Sequence, residues 1–197
     1  IGNTVASRRV ASYFSPATHY IEKLKGLDYY WFITKLLNDF DKAFDAIQDN
    51  LKKVYETIFN KNNMLVCFIG DEQDFNKFKS IHTLASKGLS VEIQQKKTIP
   101  FEGHKANEGI QSSSNVQYVA KGFNFKRLGF NYHGSMRVLE TMLNSEFLHD
   151  RVRAKGGAYG CGLSFGKSGN LTVSSYRDPN LTETIDVYND IAEFVST

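Results

Sequence analysis

Apolar residues recur along this chain with distinct spacings, and each spacing predicts a different element. From Tyr30 onward, Ile33, Leu37, Phe40, Phe44, Ile47, Leu51, Val54 and Ile58 follow one another in steps of three and four, the spacing of one helix face. One long helix or a coiled coil satisfies that pattern. The Asn38-Asp39-Phe40-Asp41 cluster, however, puts cap residues in mid-run and favours two consecutive helices packed on a sheet. His133 to Val152 is also helical in period, with Met136, Leu139, Met142/Leu143 and Leu148 on one face. Asp71 or Asp74 is placed to cap a further helix, with Phe75, Phe78 and Ile81 inward and an end near Lys87-Gly88. Asp178-Pro179 reads as an N-cap followed by a first-turn proline, opening a helix with Leu181, Ile185, Tyr188 and Ile191 inward.

The strand signals differ in kind. Met64 to Ile69 is an unbroken apolar run between Asn62-Asn63 and Gly70-Asp71, as expected of a central strand covered on both faces. Val116, Tyr118 and Ala120 alternate with Gln117, Val119 and Lys121, which is strand period. Ala158 to Phe165 turns at Gly166-Lys167-Ser168-Gly169 and returns through Leu171, Val173 and Ser175, a hairpin. Thr4 to Ser15, with Val5, Val10, Tyr13 and Phe14, reads as a strand or extended entry segment ending at Ser15-Pro16. Val91 to Ile93 reads as a short strand, and residues 95–113 as an exposed polar loop with at most one short strand around Thr98 to Phe101. The order predicts an α+β fold, a mainly antiparallel sheet with helices packed on it. At 197 residues and 41% hydrophobic, the chain can bury the core of one domain, residues 1–197.

Charge and reactive residues narrow the function mostly by exclusion. A net charge of +3, with Lys52-Lys53 and Lys96-Lys97 as solvated faces, offers no basic stripe for nucleic acid. No apolar run approaches the roughly 18 residues of a membrane span. Two cysteines, Cys67 and Cys161, give no disulfide framework and suit a reducing compartment. The five histidines, His19, His82, His104, His133 and His149, include no pair at helical ligand spacing with a glutamate between. No metal ligand is therefore assigned, and the chain alone is not expected to hold a catalytic zinc. No serine lies in a Gly-x-Ser-x-Gly elbow and neither cysteine has an assignable histidine partner. Gly156-Gly157 is not a phosphate loop, because it follows a helix instead of opening one.

What remains is that glycine pair, which reads as a helix C-cap passing directly into a strand. Arg153 ends the helix and Tyr159 starts the strand, six positions apart (159 minus 153), close enough to converge on one point. By residue type alone, an arginine at a helix C-terminus complements the macrodipole and a strand tyrosine packs at a core rim.

Longer motifs surround the pair: Ser12-Tyr13-Phe14-Ser15, Gly26-Leu27-Asp28-Tyr29-Tyr30, Asn60-Lys61-Asn62-Asn63, Gln117-Tyr118-Val119-Ala120-Lys121-Gly122, Arg153-Ala154-Lys155-Gly156-Gly157-Ala158-Tyr159-Gly160 and Ser175-Tyr176-Arg177-Asp178-Pro179-Asn180-Leu181. In this order and over nearly the whole chain, they resemble the pitrilysin/insulinase-type inverted-motif zinc metallopeptidases, most closely the presequence-protease branch. The resemblance implies the fourth, C-terminal domain of such an enzyme, a pitrilysin/mitochondrial-processing-peptidase-like fold that continues past Thr197. It implies a fragment of the C-terminal half of a larger peptidase, in keeping with a start at Ile1 and an end inside a helix pattern. It assigns catalytic roles to Arg153 and Tyr159, which in the family reach across a closed chamber to peptide bound at a zinc held by the N-terminal half. With Gly156 and Gly157 they form the expected substrate-binding set. The implied partners are unfolded peptides and the N-terminal half of the same protein, with no nucleic acid and no membrane. The implied location is cytoplasmic in a bacterium, or the mitochondrial matrix or another organelle in a eukaryote. A non-catalytic homologous domain, serving as partner half in a processing or structural complex, is the other reading the resemblance leaves open.

Overall fold

The computed structural model describes residues 2–93, 95 and 97–196; Lys96, from one of the two lysine pairs, lies outside them. The chain divides into two compact units, one of Ile1–Ile33 with Phe101–Thr197, the other of Thr34–Pro100. Seven α-helices, two short 3₁₀ turns, one π-helical stretch and three strands are formed among the described residues, and the α+β class is observed.

The first unit is built on a small antiparallel sheet. Its strands are β1 (Ala120–Asn124), β2 (Gly160–Phe165) and β3 (Asn170–Tyr176), in the order β1-β3-β2. The predicted hairpin is present, paired from Gly160↔Tyr176 to Phe165↔Leu171. The strand expected over 116–121 begins later, because Gln117 pairs with Asp178 in an isolated bridge outside the ladder. One sheet face carries Leu163 and Val173, which join Val119, Leu143, Phe147, Leu148, Val152, Ala158 and Tyr188 in the core. The other face carries Gly122, Gly162, Ser164, Thr172 and Ser174, small enough for a helix to lie close. A Cβ on Gly122 would stand 3.0 Å from Phe14 Cζ.

That close approach corrects the reading of Thr4 to Ser15 as a strand. The segment is helix α1 (Gly2–Ser12), followed by α2 (Pro16–Lys25), which Ser15 caps through the Thr18 amide and Pro16 opens. α1 packs across β1 and β3, so tertiary packing overrides the β-branched character of Val5 and Val10. The segment after Pro100 is strapped to these helices. Arg9 Nε donates to Glu108 Oε2 at 2.6 Å, Arg9 Nη1 to Asp28 Oδ1 at 2.9 Å, and Tyr13 Oη to Glu108. The His104 amide donates to Tyr13 O at 3.0 Å. No strand forms at Thr98–Phe101.

The helix predicted at 133–152 is a composite. α6 (Ser135–Met142) continues without a break into a π-helical stretch, Leu143–Lys155. Leu143 and Val152 are both 1% exposed; nine residues make about two and a half α-helical turns, which would set them on opposite sides. A wider π turn returns both to the core. Met142, half of the predicted Met142/Leu143 position, is instead exposed. The composite helix also closes the outer edge of β2: the Leu163 amide donates to Asn144 Oδ1 at 2.7 Å, Asn144 Nδ2 donates to Leu163 O at 3.0 Å, and the Phe165 amide donates to Glu140 Oε2 of α6 at 3.0 Å.

Helix α7 (Thr182–Ser196) completes this unit. It begins four residues beyond the predicted cap (182 minus 178), because Asp178 is committed elsewhere. Its Oδ1 accepts from the Asn180 amide and its Oδ2 from the Thr184 hydroxyl. Tyr188 faces inward as expected and Ile191 packs on the core. Leu181 and Ile185 are exposed.

In the second unit the predicted pair of helices appears as the end of α3 (Leu27–Asn38) and all of α4 (Phe40–Ile58), broken at Asp39. They pack on no sheet, since the described residues of this unit form no named strand, and Phe40, Phe44, Leu51, Val54 and Ile58 stay exposed. Helix α5 (Glu72–Ala85) is capped by Asp71, whose Oδ1 accepts from the Asp74 amide at 2.8 Å. Phe75 and Phe78 pack their rings on Phe68, whereas Ile81 is exposed. Met64 to Ile69 is not the expected central strand. Leu65 and Ile69 are 95% and 94% exposed, and an apolar run becomes a strand only where a ladder satisfies its backbone. Val91 to Ile93 is not a strand either, and the pairing there is the single parallel bridge Asn60↔Ser90. The Asn60-Lys61-Asn62-Asn63 motif clasps it, with Asn60 Nδ2 donating to Glu92 O and Asn62 Nδ2 to Val91 O.

Two outcomes test this packing. Asn144→Ala leaves both backbone groups of Leu163 unpaired at a cost of about 1–3 kcal/mol. Amide exchange at Leu163 should accelerate roughly tenfold or more, with a smaller effect in Asn144→Asp, which keeps the acceptor. Glu108 is held below the usual carboxylate range, mainly by its hydrogen bonds from Arg9. The strap's stabilisation is then complete above about pH 4.3, the unperturbed glutamate value, and is lost as pH falls through the lowered folded value. Exchange at the His104 amide should rise over that acid range, and Glu108→Gln should abolish the dependence.

Candidate functional site

The glycine hinge takes the form the sequence predicts, and its two glycines are needed for different reasons. Gly157 has φ +79° and its amide donates to Arg153 O at 3.0 Å, a left-handed helix cap. A Cβ there meets nothing nearer than Pro179 Cγ at 3.5 Å, so the requirement is conformational. Gly156 is required by space, since a Cβ would stand 2.6 Å from Val152 O. The π stretch ends with the Gly156 amide reaching back to Arg151 O and the Ala158 amide to Val152 O. The chain passes from the last helical residue, Lys155, to the first β2 residue, Gly160, within this cap.

Arg153 and Tyr159 emerge on either side of the cap, and both are exposed, Tyr159 to 67%. Among the described residues the Arg153 guanidinium makes no hydrogen bond or ion pair, and the Tyr159 hydroxyl makes no hydrogen bond. The two side chains do not bond to one another. The charge of Arg153 reaches the Cys161 thiol: burial pushes that thiol up, Arg153 draws it partly back, and Asp178 adds to the rise. Cys161 Sγ donates to Leu148 O and is packed against the core.

Sequence reasoning missed the element that fixes the hinge, the Tyr176–Asn180 segment. The Tyr159 amide donates to Tyr176 O at 3.1 Å and to Arg177 O at 3.4 Å, and its ring meets Tyr176 edge-on at 5.8 Å. Asn180 Nδ2 donates to Gly156 O at 2.6 Å. Between the regular pair Ala120↔Ser174 and the bridge Gln117↔Asp178, one extra residue is inserted on the β3 side. This is a β-bulge, and Arg177 occupies it with φ +49°, a conformation uncommon outside glycine. The one sequence signal for this turn is Asp178-Pro179-Asn180, whose first side chain bonds the amide two residues on, an Asx turn.

The histidines are scattered. His19 lies beside Phe101, His82 beside Phe78 and His104 against Tyr13, while His133 Nδ1 contacts Ser135. Among the described residues no group of three or more His, Cys, Asp or Glu side chains is placed to hold a metal ion. No described helix is long and apolar enough to cross a membrane.

Residues 107–197, which contain the hinge, β1 to β3 and α7, match the family of the PreP C-terminal domain. Over nearly the whole chain the sequence is 40% identical to Protein HypA of Clostridium perfringens, across 196 residues that make up 99% of this chain and 20% of that protein. It is 28% identical over 199 residues to presequence protease 1, chloroplastic/mitochondrial, of Arabidopsis thaliana, covering 98% of this chain and 18% of that protein. With the mitochondrial presequence protease of Schizosaccharomyces pombe it shares 25% over 211 residues, 100% of this chain and 20% of that protein. The chain thus spans about a fifth of the length of the curated relatives it matches. The family match covers the very segment that builds the hinge, and the relatives extend over the helices before it; residues 107–197 belong to the PreP C-terminal domain family, and the whole chain is similar to the presequence proteases as a C-terminal domain of that type.

Proposed function

We propose that this chain is the substrate-binding C-terminal domain of a zinc metallopeptidase that degrades unfolded peptides inside a closed chamber. The observation that carries the reading is the hinge, where Arg153 and Tyr159 present unbonded donors on a backbone tied down beneath them. In this reading zinc is held by the N-terminal half of the full-length enzyme, as the likeness to the presequence proteases implies. The location that follows is bacterial cytoplasm or an organelle matrix.

In this reading the chain supplies donors. Peptide hydrolysis develops negative charge on the carbonyl oxygen, and a hydroxyl fixed on a rigid strand start stabilises it with little reorganisation. Tyr159 takes that role, donating its phenolic proton to the oxyanion. Arg153 offers several N–H donors to neighbouring peptide carbonyls, which holds substrate by its backbone and ignores side-chain identity. Because these donors and the metal belong to different halves, turnover depends on closure.

Peptide hydrolysis by the full-length protein, with and without chelator, is the first test; the non-catalytic partner reading requires no hydrolysis in either condition. Tyr159→Phe should lower kcat by on the order of 10² to 10³ with little change in KM. Arg153→Ala should raise KM as well as lower kcat, because its contacts exist before the transition state. Neither should shift the melting temperature, since both side chains are exposed. Gly157→Val should lower both melting temperature and turnover, as φ +79° costs a β-branched residue about 1–3 kcal/mol. Wild-type turnover in Tyr159→Phe would sink the assignment.

A further inference from the structure

The Asp178-Pro179-Asn180 segment has no part in the chemistry assigned above, yet it holds the Gly156 end of the hinge and directly follows the Tyr176 and Arg177 carbonyls that hold the Tyr159 end. Asp178 is 0% exposed and is bonded on every side. Its amide and carbonyl pair with Gln117 at 3.0 and 2.9 Å, and its two carboxyl oxygens take the Asn180 amide and the Thr184 hydroxyl, each at 2.9 Å. This fixes Asn180, whose side-chain amide reaches back over 24 positions to Gly156 O at 2.6 Å. Two residues earlier than Asp178, Tyr176 O receives the Tyr159 amide.

We infer that Asn180, anchored by Asp178, is a positioning residue that sets the aim of Tyr159 and Arg153 by fixing the carbonyl of Gly156 and, through the adjoining bulge, the amide of Tyr159. The geometry has a physical logic. A left-handed cap is held by few bonds of its own, and Gly156 and Gly157 have no side chains with which to pack. A third element must therefore fix the rotation of the peptide groups between Arg153 and Tyr159. Asn180 takes the Gly156 carbonyl with a neutral donor that adds no charge beside Arg153. A lysine or arginine there would repel the guanidinium and compete for the same substrate carbonyls. Arg177 at φ +49° is part of the same arrangement, because the bulge brings its carbonyl and that of Tyr176 to the Tyr159 amide together.

The inference rests on the peptidase reading, and its test separates the two. In the full-length protein Asn180→Ala and the nearly isosteric Asn180→Asp, which has no donor for Gly156 O, should each lower kcat by about 10- to 100-fold, as misplacement of a catalytic group does, with KM less affected. Amide exchange at Gly157 and Tyr159 should accelerate in both variants, a readout independent of turnover. In a background carrying both Tyr159→Phe and Arg153→Ala the Asn180 change should lower kcat less than threefold further, because it acts through side chains already removed. Wild-type turnover and exchange in the Asn180 variants, beside an impaired Tyr159→Phe, would overturn the positioning role and leave the peptidase reading standing. Multiplicative losses from the Asn180 change in that background would also overturn it. A fully active Tyr159→Phe would overturn both.

Discussion

A helix that must become a strand within a few residues, at the place where two long polar side chains leave the surface, imposes one demand above others: the connecting peptide groups have to be immobile without side chains of their own. Gly157 supplies the left-handed turn at φ +79° and Gly156 the space beneath Val152 O. A cap made of two glycines is conformationally permissive by nature. The rest of the first unit limits that permissiveness. The π stretch holds the cap's helical side through Arg151 O, Val152 O and Arg153 O. The bulged end of β3 holds its strand side at the Tyr159 amide, and Asn180 holds the Gly156 carbonyl between them.

The π-helix follows from the same demand. Leu143, Phe147, Leu148 and Val152 all enter the core beside Leu163 and Val173, while Asn144 must meet the edge of β2. A regular α-helix rotates 100° per residue and cannot hold Leu143 and Val152 on one side. The wider turn does so, and it carries Arg153 to the helix end with its side chain outward. Burial of the core face and exposure of Arg153 are thus two consequences of one helical pitch.

The sequence showed these features unevenly, for physical reasons. The hairpin and the glycine hinge were legible because turn chemistry is local: Gly166 and Gly169, Gly156 and Gly157 announce the backbone they permit. The two-helix reading at Asp39 and the Asp71 cap were legible for the same reason. Thr4 to Ser15 was misread because what makes it helical is distant, a sheet face of small residues over a hundred positions later. The π stretch has no residue signature, and its apolar positions mimic an ordinary amphipathic period. Met64 to Ile69 has the composition of a buried strand, but composition states only what a segment can bury; the ladder that makes a strand is supplied by neighbours. The Asp-Pro pair reads as a helix cap at Asp178, whereas its two hydrogen bonds to Gln117 tie it into an isolated bridge beyond the end of the sheet and delay the helix to Thr182. At the hinge, the places of Arg153, Tyr159 and the glycines could be read in advance, while the tie from Asn180 could not, because its partner lies 24 residues away.

The sheet's two edges are treated differently, which bears on how so small a sheet keeps its shape. At β2 the outer amides of Leu163 and Phe165 and the carbonyl of Leu163 are taken by Asn144 and Glu140. A carboxamide offers a donor and an acceptor side by side and so stands in for a strand residue. That edge is closed by side chains from the same helix that packs on the core face, so edge closure and core burial reinforce one another. At β1 no strand of the described residues lies outside. Its protection is brevity and a charge, five residues with Lys121 bonded to Asn189 of α7, the usual defences of an exposed edge. The closed edge is the one that continues, through Gly160, into Tyr159. A strand whose outer groups are bonded to a buried helix cannot slip in register, so the start of β2 inherits its position from Asn144 as well as from Asn180. Tyr159 is therefore exposed at its hydroxyl and fixed at its backbone, the combination that an aimed donor requires.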